Sequence, residues 1–343
     1  MEIFGGVRRA IEVGNALIRR GHSFVLFTPA GKPPGWLEFR GQVRPFESVP
    51  AEDFEVGFCS EYSILPHFER LRARAKFFYF VLEGHKKERE TARRGFYYLG
   101  CSEGICRRME RKYKVRCYRA PGGINPELFY PLAKLESPAT PFAGKTAAQA
   151  VSGHAHPGRE IKILCYGRIY KKRKGVRQVI RAVETLHRKN PQLSLVFFDS
   201  LVGEDRRDPR PLIRTPVPHE FYLNLPQNRM AWLFSRADLF VSAERRAGWA
   251  NTAAEAMACR LPVVCTSSGS RDFAFHNETA LVVPFAHPVL LRRQIKRLID
   301  DLELRERLAA AGQRKIGEFT WDALAERLEA IFQGVLGEET PRP

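Results

Sequence analysis

Short apolar runs alternate along this chain with longer stretches whose apolar residues recur at helical spacing. Few folds accommodate that alternation. In the first half, strands are predicted at Ser23–Thr28, Val56–Cys59, Phe77–Leu82, Tyr97–Cys101 and Val115–Arg119. A helix carrying Val7, Ile11, Gly14, Leu17 and Ile18 on one face stops at Gly21, and another is predicted near 102–113. The second half follows the same plan. Strands are predicted at Ile161–Tyr166, Leu193–Phe198, Leu239–Ser242, Pro262–Thr266 and Ala280–Val283. Helices are predicted at Val176–His187, Arg229–Ser235, Thr252–Ala258, from Pro288 to about Glu318, and from Trp321 to about Val335. Strands this apolar are parallel strands covered on both faces, so the class is α/β. Residues 132–159, rich in Pro, Ala, Ser and Gly, read as a linker. The expected organisation is a domain over 1–131, the linker, a domain over 160–320, and a closing helix over 321–337. Only Met1–Phe4 precede the first glycine turn. The first strand is therefore short, or the natural start lies further upstream.

Composition narrows the function. The 343 residues carry a formal charge of +18, and residues 70–119 hold 16 Lys or Arg against 5 Asp or Glu. Nucleic acid, an anionic membrane face, a phosphorylated substrate, or simply a basic soluble surface would each accommodate that excess. No helix-turn-helix, zinc finger or aromatic RNA-binding motif appears, so no nucleic-acid partner is expected. No apolar run reaches the roughly 18 residues that cross a bilayer. The N-terminal residues lack the pattern of a secretory signal. The seven cysteines show no zinc spacing and mostly sit in apolar runs. Free thiols, no metal and a cytoplasmic location follow as expectations, with peripheral attachment to the inner membrane face as the place where the basic stretch would act.

Four segments lie where such sheets bind ligands, at the carboxyl ends of strands and the starts of helices. In Tyr166–Gly175 a glycine turn leads through basic residues into a helix, and Arg168 with Lys174 can clamp a diphosphate. A solvated charge run is the alternative. In Ala243–Ala258, Glu255 sits among alanines in a helix after a strand and can accept both hydrogen bonds of a ribose diol; the alternative is an ordinary surface glutamate. Gly5-Gly6 opens a helix and either admits a ligand or is a plain turn. Glu83 and His85 follow a buried strand and either face a substrate or decorate a charged loop.

Read together, these segments resemble a known family. Glu255–Thr266 resembles the signature "EAMACGxPVVxT" of the retaining GT-B glycosyltransferases of family 4, also called group 1. Other matches keep the family's order. Gly5-Gly6-Val7 with Arg20–Phe27 resembles "GGxxR…RGHxVxxx". Pro121–Pro131 resembles "PNGVDxxxFxP", and Tyr166–Arg168 with Lys174-Gly175 resembles "GR…KG". Ala237–Ser242 resembles "ADxFVxPS", Thr279–Pro284 resembles "TGLLVP", and Phe319–Trp321 resembles "FSW".

The resemblance implies a GT-B fold, two Rossmann-like doubly wound domains facing across a cleft. It implies hexosyl-type transfer with retention, without a metal or other cofactor, from a nucleotide-diphosphate sugar to a polysaccharide or lipid-linked acceptor. By motif position, Arg168 and Lys174 would hold the diphosphate and Glu255 the ribose. Asn251, Thr252, Ser268, Gly269 and Thr279 would line the donor pocket, and Gly6 would approach the reacting end of the donor. Glu83 or His85 would position the acceptor or the sugar hydroxyls, and Arg168, Lys174 and Glu255 would share one hollow. The chain also departs from the pattern. Ala247 replaces a glutamate common eight positions before Glu255 that touches the donor sugar; Glu244, three residues earlier, would bind the donor in its place from a shifted loop, or the sugar is held otherwise. Arg260 replaces a glycine, Asp272 a glutamate and Gly122 an asparagine. These departures keep open a catalytically degenerate sugar-nucleotide-binding subunit and, on charge alone, a nucleic-acid-binding protein.

Overall fold

The structure is a computed structural model that describes residues 5–49, 53–132, 159–201 and 207–338. The expected short first strand and most of the expected linker lie outside these residues. In chain order the first elements are α1 (Gly5–Arg19), β1 (Val25–Thr28), β2 (Gln42–Pro45), β3 (Phe54–Cys59), α2 (Leu65–Arg70), β4 (Ala73–Phe80), α3 (Glu88–Thr91), β5 (Tyr97–Gly100), α4 (Glu103–Tyr113) and β6 (Cys117–Arg119). Then follow β7 (Ile161–Tyr166), α5 (Val176–His187), β8 (Leu193–Asp199), β9 (His219–Leu223), α6 (Met230–Ser235), β10 (Leu239–Ser242), α7 (Asn251–Ala258), β11 (Val263–Thr266), β12 (Leu281–Val283), α8 (Pro288–Asp300), α9 (Leu302–Ile316) and α10 (Trp321–Gly337).

Two compact units emerge, one of Met1–Gly123 with Phe319–Pro343 and one of Ile124–Glu318. In the first, β3-β4-β5-β6 form a parallel sheet and β1 pairs with β2 in a parallel ribbon. Strand β4 is the centre of its core. Phe77, Phe78, Tyr79 and Phe80 are all fully buried, as a strand covered on both faces requires. Helix α10 belongs to this unit because Phe332 stacks near Phe77 and Phe58, and Trp321 lies directly against Gly123. A Cβ on Gly123 would come within 2.6 Å of the Trp321 ring.

The second unit holds a six-stranded parallel sheet in the order β12-β11-β10-β7-β8-β9. Helix α5 covers one face with Val176, Val179, Ile180, Val183 and Leu186, and α8 adds Leu291, Ile295 and Leu298 to the same core. Residues 124–131, expected with the first domain, pack here instead. Phe129 meets the Phe234 ring edge-on, burying a side chain for which the sequence pattern gave no partner. All seven cysteines are buried, and none is joined in a disulfide.

Candidate functional site

The strand order of the second unit reverses between β7 and β10. Connections from these two strands leave toward opposite faces, which opens a crevice at their carboxyl ends. Strand β7 ends at Tyr166 and β10 at Ser242, and the register pairs Cys165 with Val241. The two loops that follow carry the strongest candidates of the sequence.

After β7 the chain turns through Arg168 and a 3-10 turn, Lys172–Lys174, into Gly175 and α5. Gly175 has φ +66°, and a Cβ there would lie 2.0 Å from the Ala243 carbonyl oxygen. Glycine is therefore required twice, for the left-handed backbone and for the close approach. The Arg245 amide donates to the Arg173 carbonyl at 2.8 Å, tying the same two loops together.

These backbone contacts set the side chains. The Arg168 guanidinium and the Lys174 ammonium both lie over the Tyr166 ring, at 5.5 and 5.0 Å from its centroid. Burial holds the Tyr166 hydroxyl well above its ordinary range, with the Asp199 charge pushing the same way, so the ring between the cations stays neutral. Arg168 donates from Nε and Nη2 to the Asp199 carboxylate, which is wholly buried and also accepts from the Ser200 amide. Arg168 Nη1 has no partner among the described residues. Lys174 Nζ donates to Glu244 Oε1 at 2.6 Å, and both side chains are largely buried. A small hollow beside Tyr166 is lined by Lys174, Ser242, Ala243 and Glu244.

Glu255 stands on the helix that follows β10. It is buried within α7, and its charge reinforces the upward push that burial gives the Cys259 thiol. The acid that meets the lysine is Glu244, two residues past the end of β10 at the sheet's carboxyl edge, whereas Glu255 lies a full turn inside a helix. Glu244 thus places a carboxylate on Lys174 at the edge of the hollow. The remaining donor-side candidates gather around the loop before α7. Ser268 accepts from the Ala247 amide at 2.9 Å, and the Gly269 carbonyl accepts from the Ala250 amide at 2.8 Å. Gly269 has φ +71° and packs against Ala247 too closely for a Cβ. Asn251 and Thr252 open α7, half-buried. Thr279 is held by local bonds. Its hydroxyl donates to the Phe273 carbonyl and accepts from the Phe275 amide, closing a turn.

In the first unit, Gly6 lies in the first turn of α1, where a Cβ would meet only Ser60 Oγ, at 3.8 Å. Nothing in the packing demands glycine there. His85 stacks on Tyr62, ring centroids 4.0 Å apart, and its Nδ1 accepts from the Lys87 amide. Glu83 is half-exposed, 3.7 Å from Arg108. The residue that organises this loop is Glu88, 1% exposed, which sequence reasoning missed. Its carboxylate accepts from the Gly84 amide, Arg108 Nε and the Tyr113 hydroxyl. A glutamate inside the run Lys86–Glu90 carries no sequence signal of burial. Asp199 was also missed, although a lone acid ending an apolar strand beside a basic loop was a usable sign. Among the described residues no group of side chains has the makings of a metal site.

Residues 149–315 match the family described as glycosyl transferases group 1. The capsular polysaccharide biosynthesis glycosyltransferase CapM of Staphylococcus aureus is 26% identical over 175 residues, which is 50% of this chain and 46% of CapM. The chain thus spans about half the length of that relative. Sucrose-phosphate synthase from Thermosynechococcus elongatus superposes with a TM-score of 0.72 at 18% identity, covering 94% of this chain and 92% of its own. Anabaena Alr3699/HepE in complex with UDP-glucose gives 0.69 at 12% identity, covering 97% of each chain. At such identities the likeness establishes the fold, two Rossmann-like units of the GT-B class. The match to glycosyl transferases group 1, over residues 149–315, includes the crevice between β7 and β10 and lies within a chain of GT-B fold.

Proposed function

We propose that this chain is a glycosyltransferase that moves a hexosyl-type sugar from a nucleotide diphosphate to a saccharide or lipid-linked acceptor, with retention and without a metal. The observation that carries the reading is the convergence of Arg168 and Lys174 on Tyr166 at the point where the strand order reverses. When the sugar–phosphate bond breaks, its electron pair leaves on the diphosphate. Arg168 Nη1, without a partner among the described residues, and the ammonium of Lys174 would face that charge in a half-dry crevice, where fixed cations act most strongly. Glu255, Asn251, Thr252, Ser268 and Gly269 are assigned to the donor, and Gly6, Glu83 and His85 to the reacting end and the acceptor. The exposed Arg107, Arg111, Lys112, Lys114 and Arg116 are assigned to an anionic lipid surface on the inner membrane face. Failure to sediment with anionic vesicles at low salt removes that last assignment.

Thermal shift across a panel of nucleotide sugars, UDP-glucose included, tests the core of the reading, because a true donor stabilises by mass action. No shift with any member sinks it. Ala247, lacking the acid otherwise common at that position, favours a second reading, a sugar-nucleotide-binding subunit without transfer. A donor that binds but is neither transferred nor hydrolysed selects it.

A further inference from the structure

The lysine of the crevice already has an anion. Lys174 Nζ sits 2.6 Å from Glu244 Oε1, and the two side chains are 16% and 6% exposed. The pairing is built into the backbone. Gly175 is pressed onto Ala243, the residue before Glu244, and the Arg245 amide holds the Arg173 carbonyl, so both partners are flanked by loop-to-loop contacts. The Glu244 carbonyl is in turn fixed by the Thr266 hydroxyl at the end of β11. Neither side chain can swing away cheaply, because each would leave the other charged and buried.

Resting on the glycosyltransferase reading, we propose that Glu244 is an intramolecular counter-anion that competes with the ligand's diphosphate for Lys174. It weakens the hold on the released nucleoside diphosphate and so sets how readily the product leaves. A diphosphate reaching the ammonium either displaces the carboxylate or lies beside it. In both cases it meets a negative charge within a few ångströms, in surroundings that screen poorly. Arg168 differs, since its guanidinium has a nitrogen to spare after pairing with Asp199, and a lysine ammonium with a buried acid on one side does not offer the same fork. Both cations of the crevice thus carry an acid, but among the described residues Arg168 keeps one guanidinium nitrogen outside its pairing while the Lys174 ammonium is contested.

Substitution Glu244→Gln keeps the size and an acceptor oxygen for Lys174 while removing the charge. Inorganic pyrophosphate, which carries no base, serves as probe beside UDP, ADP and GDP, with uridine, adenosine and guanosine as uncharged controls. Calorimetry on the full chain is expected to show diphosphates binding about tenfold or more tighter to Glu244→Gln than to the native chain, with nucleosides unchanged. A thermal melt of the same samples confirms that the variant is folded. If it is not, Glu244→Asp, which keeps the charge but draws it back from the ammonium, is expected to tighten diphosphate binding by a smaller factor. Diphosphate affinity equal to or weaker than native in a folded variant overturns the counter-anion while leaving the glycosyltransferase reading intact. Absence of diphosphate binding by the native chain and by the folded variant alike overturns both.

Discussion

Gly175 and Ala243 touch backbone to backbone, so closely that a methyl group on the glycine would lie 2.0 Å from the Ala243 carbonyl oxygen. This contact brings the loop after β7 against the loop after β10 and sets Lys174 onto Glu244. Replacing Gly175 by Ala adds both a clash with a main-chain atom and a left-handed backbone strain. The expected loss is about 3 kcal/mol or more of the second unit's stability, with diphosphate binding lost as well. Urea unfolding combined with calorimetry reads both. A variant of native stability would show that the two loops separate at little cost.

Arg168 is tied to an acid with no access to solvent. Removing the guanidinium alone therefore strands a buried carboxylate, and Arg168→Ala is expected to destabilise by about 3 kcal/mol through Asp199. The double variant Arg168→Ala/Asp199→Asn is expected to recover most of that stability while turnover stays down by orders of magnitude. Melting and steady-state kinetics on the two variants separate scaffold from chemistry. Turnover restored by the second substitution would remove Arg168 from the reaction.

Arg260 occupies the left-handed position that ends α7, at φ +56°. Around it the Arg260 amide donates to Met257 and the Leu261 amide to Ala256, the paired bonds of a Schellman ending. That is why a glycine is at home there. The arginine side chain is exposed, so Arg260→Gly gives up little packing and relieves the strain. A gain of about 1 kcal/mol in urea unfolding is expected. A loss would mean that the arginine earns its place through a contact of its side chain.

Glu329 on α10 accepts from Arg20 and meets His22, and the hydrogen bond from Arg20 draws its pKa down to about 2. A carboxylate depressed in the folded chain stabilises it fully above the ordinary value near 4.5. The contribution fades as pH falls toward about 2. The pair is partly exposed, so the effect is modest and weakens with salt. The melting temperature of the native chain is expected to drop relative to that of Glu329→Gln across this window. Parallel curves would deny the ion pair any role.

Much of the fold was legible before any coordinates. Helix α5 and strands β7 and β10 fall on their predicted bounds because each is covered by apolar partners, and burial on that scale leaves a periodic trace. Strands β2 and β9 were missed. Each sits at the edge of its sheet, and sequences such as Gln42–Pro45 and His219–Leu223 need no unbroken apolar run when one side is open.

Local chemistry along the chain determined the class of fold, the glycine-and-cation turn after β7, and the identity of Arg168 and Lys174 as the residues to watch. Only tertiary structure decided which acids answer them. Asp199 and Glu244 stand 31 and 70 residues away from their partners along the chain. Spacing of three or four residues reports which side chains share a helix face. It carries no record of which strand lies next to which, and charge pairing across a strand-order reversal depends on nothing else.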